Sequence, residues 1–394
     1  MNFIIISPRY WDHPMGTTAK FVALEIAKRH QVLFMGPPLQ RSFQLFKRKL
    51  PETQRYLKIL KGEQPDLIRI NEKLHVFFPK VVLESINWIT NNRIYHFLHR
   101  INEKMLAYEL REAIKRVKFG DFILLNDTSM LIGFYLKEYL KPKLNIYLIR
   151  DAVLLADYHA KHGRKFEPDL IRKSDLIITN SDFFRDYARK FNRNSHMIGQ
   201  GCDISIYSDP EGKLSVPPDV DAISHPRIGY VGYLTIIRLD IDILIYLAEK
   251  RPDWNIVLVG PEDEYFSKSR LHQMKNVFFL GRKELTQLPG YIKGFDVTIN
   301  PQTVNLITDV NYPLKIDEYL AMGKPVVATK TRFMEYFVDY VYLAKTHEEH
   351  LGLIEKALQE NSPEKEKQRI DLAISHGWDK YLDKVYKQIE LLLA

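Results

Sequence analysis

Asn311-Tyr312-Pro313-Leu314-Lys315-Ile316-Asp317-Glu318-Tyr319-Leu320-Ala321-Met322-Gly323-Lys324-Pro325-Val326-Val327-Ala328-Thr329 reads as a helix followed by a strand. Pro313 fits a first helical position, where its missing N–H removes nothing, and Gly323 fits the position just past the helix end that favours a positive φ. Pro325 prevents continuation, and β-branched residues then open a strand. Lys315 and Glu318 are three positions apart and share one helix face. Lys315 lies in the first turn, where free N–H groups and the helix dipole favour an anion. Glu318 lies one turn deeper and can accept hydrogen bonds from two hydroxyls. An anion at Lys315 and a diol at Glu318 describe a ribose diphosphate. An exposed ion pair between the same two residues is the plain alternative.

Outward from this segment, short apolar runs alternate with amphipathic stretches from end to end, the pattern of α/β layers around parallel sheets. The first half predicts strands at Phe3–Ser7, Gln31–Phe34, Leu74–Phe78, Phe122–Asn126, Asn145–Ile149 and Leu176–Thr179. A helix opening at Thr17 or Thr18 should turn Phe21, Val22, Leu24 and Ile26 inward. The second half predicts strands at Arg227–Val231, Asn255–Val259, Val277–Leu280, Val297–Ile299 and Val326–Ala328. Its helices are expected at Ile241–Lys250, Leu288–Gly294 and Leu314–Met322. Between the halves, residues 207–226 hold Pro210, Gly212, Pro217, Pro218 and Pro226 and read as a linker. This gives domains at 1–206 and 227–365, with a final helix from residue 366 to 394 expected to return to the first domain. Ligands of doubly wound sheets bind beyond the carboxyl ends of the strands, so the loops of both halves should face a central cleft.

Composition bounds the function. The 394 residues are 45% hydrophobic and 27% charged, enough for two packed cores. A single cysteine, Cys202, excludes an internal disulfide framework and fits a reducing compartment as a small packed side chain. The N-terminus reads as a strand, with no basic n-region, and no run approaches the roughly 18–20 apolar residues of a membrane span. A cytoplasmic protein, at most resting on the inner face of the membrane, is expected. The net charge of +8 suits an anionic partner, but no nucleic-acid reading module is visible. No glycine-rich G-x-G-x-x-G follows the first strand, which argues against a dinucleotide-binding dehydrogenase.

Several segments, in order, carry a resemblance to a known family. Pro313–Thr329 resembles the donor-binding helix and following strand of GT-B glycosyltransferases of the retaining, family-4-like kind (glycosyltransferase group 1 type). Gly229-Tyr230-Val231-Gly232 with Arg238, Leu258-Val259-Gly260-Pro261, and Asn276–Arg282 with Leu288-Pro289 and Phe295–Val297 are similar to that family's second domain. Asp175–Ser181 and Gln200–Asp203 resemble the last strands of its first domain, and His376-Gly377-Trp378 the start of its terminal crossover helix. The resemblance implies two Rossmann-like domains and a nucleotide diphosphate sugar as donor, with no further cofactor and no metal. It implies donor contacts from Gly16, Gly232, Arg238, Gly260, Gly281, Arg282, Asp309, Asn311, Lys315 and Glu318. Two positions depart from the pattern: Val310, where many relatives carry an acid, and Tyr233, where relatives often have arginine.

Transfer would need a fixed positive environment for the departing diphosphate, and Arg238 and Lys315 are the catalytic candidates for it. Asp151, at the carboxyl end of a predicted strand, is the third: it orients the acceptor or stabilises positive charge on the sugar ring, or else it caps a helix or loop. His159 and His162 lie nearby in sequence. Asp240-Ile241-Asp242 superficially resembles a metal-binding acid pair but opens a helix, where aspartate is expected. The acceptor, a saccharide or a lipid-linked saccharide, should meet the first domain. There Arg41, Phe43, Phe46, Lys47, Arg48 and Lys49, and then Trp88, Arg93, Tyr95, Phe97 and Arg100, mix basic and aromatic side chains. Such stretches fit peripheral association with an anionic membrane, or ordinary amphipathic helices with solvated faces. A noncatalytic sugar-nucleotide-binding subunit and a GT-B sugar-nucleotide epimerase are the rival functions.

Overall fold

The computed structural model describes residues 1–13, 17–209 and 212–394. Its contacts divide the chain into two units, Met1–Gly199 with Tyr381–Ala394, and Gln200–Lys380.

The sheet of the first unit is built from β1 (Asn2–Ile6), β2 (Gln31–Met35), β3 (Leu67–Arg69), β4 (Leu74–Phe77), β5 (Phe122–Asp127), β6 (Leu144–Ile149), β7 (Leu176–Thr179) and β8 (Ser195–Met197). Their spatial order is β3-β4-β2-β1-β5-β6-β7-β8. All pairs are parallel except β3 with β4. Strands buried on both faces read as unbroken apolar runs, which is why Phe3–Ile6 carries no polar alternation. Ile4, Ile6, Leu33 and Leu124 pack against Leu106, Ala107, Leu110 and Ala113 of the helix Asn92–Arg116. In the helix Thr18–Arg29 the buried stripe is Ala19, Val22, Ala23, Ile26 and Ala27. Phe21 and Leu24, expected inward, are only half-buried, because the small alanines let the helix lie close on a narrower face.

The second unit holds β9 (Arg227–Val231), β10 (Asn255–Val259), β11 (Val277–Gly281), β12 (Val297–Asn300), β13 (Val326–Thr329) and β14 (Tyr342–Ala344). They are all parallel, in the order β11-β10-β9-β12-β13-β14. This is the doubly wound order whose direction of growth reverses between β9 and β12, and ligands favour the crevice at that point. One face of the sheet buries Ile228, Ile256 and Ile299 against Leu244, Leu247 and Trp254. The other buries Val231, Val257 and Ala328 against Ile316, Tyr319 and Leu320.

Two features differ from expectation. Residues 207–226 contain buried anchors, Tyr207, Val220 and Ile223, which belong to the second unit's core, and Lys293 pairs with Asp209 at 2.7 Å. The prolines of this stretch conceal three well-separated apolar contacts. The tail is two helices, Pro363–Ser375 and Trp378–Leu393, rather than one. The His376 carbonyl accepts from Cys202 N at 2.9 Å instead of continuing the helical ladder, and Gly377 makes a short bridge with Cys202. Beyond the break the last helix packs on the first unit, Tyr386 against Phe3 and His30, with Asp383 2.8 Å from Arg29. Among the described residues no helix is long and apolar enough to cross a membrane.

Candidate functional site

At the reversal between β9 and β12, three glycine turns lie side by side. Gly232 N donates to the Val259 carbonyl at 2.9 Å, and Gly260 N to the Gly281 carbonyl at 3.0 Å. Gly232 and Gly260 have φ of +145° and +151°, which L side chains rarely adopt. A Cβ on Gly260 would stand 1.8 Å from the Gly232 carbonyl oxygen. The backbone is thus bare beside the strand ends. A Cβ on Gly232 would meet Lys315 Nζ at 2.8 Å and the Tyr230 hydroxyl at 2.9 Å, so this glycine backs directly on the predicted cation.

Lys315 opens the helix Lys315–Ala321, with Pro313 two positions before it rather than at the first helical position. The helix is pinned to the sheet because Val231 N donates to the Tyr319 hydroxyl at 2.8 Å. Lys315 Nζ donates to the Tyr230 hydroxyl and lies 3.8 Å from the centroid of its ring. Burial pushes the Lys315 ammonium down to about 7, Glu318 opposing the shift and Arg238 adding to it. Burial pushes the Glu318 carboxyl up to about 7, against the pull of Lys315 and of the Tyr207 hydroxyl beside it, while Asp317 adds to the rise. A cation and a carboxylate are therefore held in a partly dry site where each gains from a ligand of matching chemistry. Arg238 is exposed, and its guanidinium has no ion-pair partner among the described residues. Its loop is fixed from behind: Thr303 N donates to the Arg238 carbonyl at 3.0 Å, and Asn305 Nδ2 to the Ile237 carbonyl at 2.9 Å.

Of the remaining predicted donor contacts, Gly281 has a φ of +67° and open space around it, and Arg282 beside it is exposed. Asp309 is engaged elsewhere, accepting from Arg332 N at 2.7 Å through its side chain and from Phe333 N through its carbonyl. Asn311 keeps a buried side-chain oxygen with no partner, and Val310 is buried. Gly16 lies outside the described residues.

Three contributors were not read from the sequence. Asn300, at the carboxyl end of β12, is 0% exposed, yet neither its side-chain oxygen nor its nitrogen has a partner. Buried amides are normally satisfied, so this orphan pair marks the reversal point as a place for a polar ligand or water. Tyr207 comes from the stretch read as a linker. Behind the helix, the fully buried Asp317 holds His376 Nδ1 at 2.8 Å and accepts from the Tyr312 hydroxyl at 2.5 Å. The signal for this tie was present in His376-Gly377-Trp378, but nothing in the spacing named Asp317 as its partner. Gly201 fits under Trp378, whose ring a Cβ there would meet at 2.0 Å. Cys202 sits close by, its thiol pushed well up by burial and then by Asp317 and Glu318.

In the first unit, Asp151 follows β6 and pairs with Arg150 at 2.5 Å; Arg150 also grips the fully buried Asp127 at 2.8 Å. His162 stacks on Tyr95 at 3.6 Å and lies 3.2 Å from the Asn87 carbonyl, a packing role. His159 lines a cavity of about 740 Å³ at the strand ends, together with Arg9, Lys47, Trp88 and Tyr158. Asp240 caps the helix Ile241–Lys250 by accepting from Asp242 N at 3.0 Å. Among the described residues no group of three or more His, Cys, Asp or Glu could hold a metal ion.

Residues 225–356 match the family model described as glycosyl transferases group 1. A curated relative is TuaH of Bacillus subtilis (strain 168), named as a teichuronic acid biosynthesis glycosyltransferase. It is 26% identical over 240 residues, 57% of this chain and 59% of that protein, so the chain spans about three fifths of the relative it matches. Among solved structures, HepE of Anabaena in complex with UDP superposes with a TM-score of 0.68 at 15% identity, covering 99% of this chain and 100% of that one. A UDP-forming α,α-trehalose-phosphate synthase of Burkholderia vietnamiensis gives 0.70 at 11% identity, covering 98% and 96%. The fold is GT-B, and within the second unit the stretch that matches the group 1 glycosyltransferase model is residues 225–356.

Proposed function

We propose that the chain is a glycosyltransferase that takes a hexose-type sugar from a nucleoside diphosphate sugar and passes it to a saccharide or lipid-linked acceptor. The donor would be a uridine or guanosine diphosphate sugar, and the product a cell-surface polysaccharide or glycoconjugate. The observation that carries this reading is the pairing of Lys315 and Glu318 beside the bare glycine turns at the reversal point. Lys315 and Arg238 supply positive charge to the diphosphate, the Gly232 and Gly260 backbones admit it closely, and Glu318 accepts from the ribose hydroxyls. In the reaction the bond from the sugar's anomeric carbon to the diphosphate oxygen breaks, and a bond from the acceptor oxygen to that carbon forms. The acceptor bonds on the face that the phosphate leaves, passing its proton to that phosphate, and bonding on that face gives retention. Lys315 and Arg238 take the leaving charge, so the reading needs no metal. HepE binds UDP and the trehalose-phosphate synthase is UDP-forming, which favours uridine. TuaH's name favours a polysaccharide.

The buried Val310, where many relatives place an acid, also supports a second reading, a noncatalytic sugar-nucleotide-binding subunit. Product formation from labelled donors separates the two.

Thermal melting against a panel of nucleoside diphosphates, with magnesium or with chelator, tests the donor site. One diphosphate should raise the melting temperature by several degrees, equally in both conditions. No shift with any of them would remove the donor assignment.

The protonation of the pair makes a further expectation. Above pH 7 the free Lys315 is mostly neutral, so diphosphate binding should take up a proton. Below pH 7 the free Glu318 is mostly protonated, so ribose binding should release one. Affinity should peak near neutrality and fall by up to about tenfold per pH unit on each side. Calorimetric titrations at pH 8 in two buffers of different ionisation enthalpy read the proton directly; equal heats would contradict it.

A further inference from the structure

We propose that the outer face of the helix Asn92–Arg116, with Trp88 and the tip of the helix Arg41–Phe46, docks the protein on an anionic phospholipid surface. The proposal does not rest on the transferase reading, because surface binding can be measured without donor or acceptor.

The helix is amphipathic in two directions. Its inner face packs into the first unit's core through Leu106, Ala107, Leu110 and Ala113. Opposite to it, Ile94, Phe97, Ile101, Met105 and Tyr108 are all exposed, Phe97 at 64% and Tyr108 at 62%. At about 100° per residue these five positions fall within an arc of roughly 80°. Arg93, Arg100, Lys104 and Arg111 fall within roughly 40° along one flank of that arc. Every fully exposed charged residue of this helix is basic, the only other two being Lys115 and Arg116. Glu103 is buried and Glu109 half-buried, while Glu112, with 47% of its side chain exposed, is paired with Lys115 at 2.7 Å near the helix end. The apolar stripe is continuous in character with Trp88, 76% exposed just before the helix, and with Phe46, 84% exposed ahead of Lys47-Arg48-Lys49.

A solvated helix places charge, not phenylalanine and isoleucine, on its outer face. A large exposed apolar surface of this kind marks an interaction site. The excess of exposed basic over acidic side chains chooses the partner. Headgroups of an anionic bilayer complement a stripe of arginine and lysine, and its interface receives tryptophan, phenylalanine and tyrosine. An antiparallel second copy would instead bring basic flank against basic flank. Tyr95, grouped with these residues in the sequence, is not part of the face; it is buried and stacks on His162. Trp88 also lines the cavity that holds Arg9, Lys47 and His159, so an amphiphile at the bilayer surface would lie beside that cavity.

The test is flotation of the full chain with phosphatidylcholine vesicles, with and without phosphatidylglycerol. Binding is expected only with phosphatidylglycerol, weakening as salt rises. Phe97→Gln with Ile101→Gln should lower partitioning about tenfold or more. Arg93→Gln with Lys104→Gln should lower it about 25-fold at low salt, near fivefold for each charge. Both double variants replace exposed side chains with helix formers, and unchanged melting will show that they fold. No binding to phosphatidylglycerol vesicles, equal binding to neutral ones, or binding that survives both double variants would overturn the proposal. So would a concentration-dependent dimer in sedimentation equilibrium that Phe97→Gln abolishes, which would assign the face to a second copy.

Discussion

Replacing Lys315 by alanine should lower turnover about 10²–10³-fold while leaving the melting temperature unchanged or slightly raised. The loss is that of one fixed donor aimed at charge that develops on the leaving group. The small effect on stability has a separate cause: burial disfavours this ammonium, which offsets the loss of its contacts with Tyr230. The companion change, Glu318→Ala, should act on recognition of the ribose. A hydrogen bond to a charged acceptor contributes about 1.5–3 kcal/mol, so affinity for a nucleoside diphosphate should fall roughly ten- to a hundredfold. The preference for ribose over 2′-deoxyribose should vanish with it. Full turnover in Lys315→Ala, or retained discrimination in Glu318→Ala, would place the donor elsewhere.

Gly260→Ala should be the most damaging single methyl group in the second unit. Its Cβ would sit 1.8 Å from the Gly232 carbonyl oxygen, which is backbone and cannot swing aside, and its φ of +151° adds strain of its own. Overpacking and a disfavoured backbone each cost about 1–3 kcal/mol, so a loss of about 2–6 kcal/mol is expected by denaturant titration. Because the displaced atom is the Gly232 carbonyl, nucleotide binding should be lost even at temperatures where the variant is folded. A variant that melts like the parent and binds a diphosphate would mean that the two turns are not closed on each other. Gly281→Ala is the internal contrast. Nothing stands within 4 Å of its Cβ, so only the left-handed backbone is strained and the loss should be much smaller.

How far the site was legible depended on whether its physics is local. Helix, glycine stop and strand from Leu314 to Ala328 are set by neighbouring residues, and the structure repeats them with the boundary at Lys315 instead of Pro313. Strands whose residues are buried on both faces were visible as apolar runs. β3, β8 and β14 were not, because three residues such as Leu67–Arg69 form no run. Lys315 and Glu318 share one helix face and could be paired by spacing. Tyr207 and Tyr230 reach Glu318 and Lys315 from two other segments, and no periodicity connects them. The tie from Asp317 to His376 spans 59 positions and exists only because the chain returns. Asp309 reads as a free carboxylate in sequence, but the Arg332 backbone occupies it. The stretch 207–226 misled for a complementary reason: proline density dominates its composition, while Tyr207, Val220 and Ile223 do the packing.

The return of the chain also fixes an order of assembly. The first unit is completed by Tyr381–Ala394, which are synthesised only after the whole second unit. On the ribosome, residues 1–199 must therefore wait with the patch around Phe3 and His30 uncovered, while residues 200–380 already possess all of their own strands. The part made first is the part finished last.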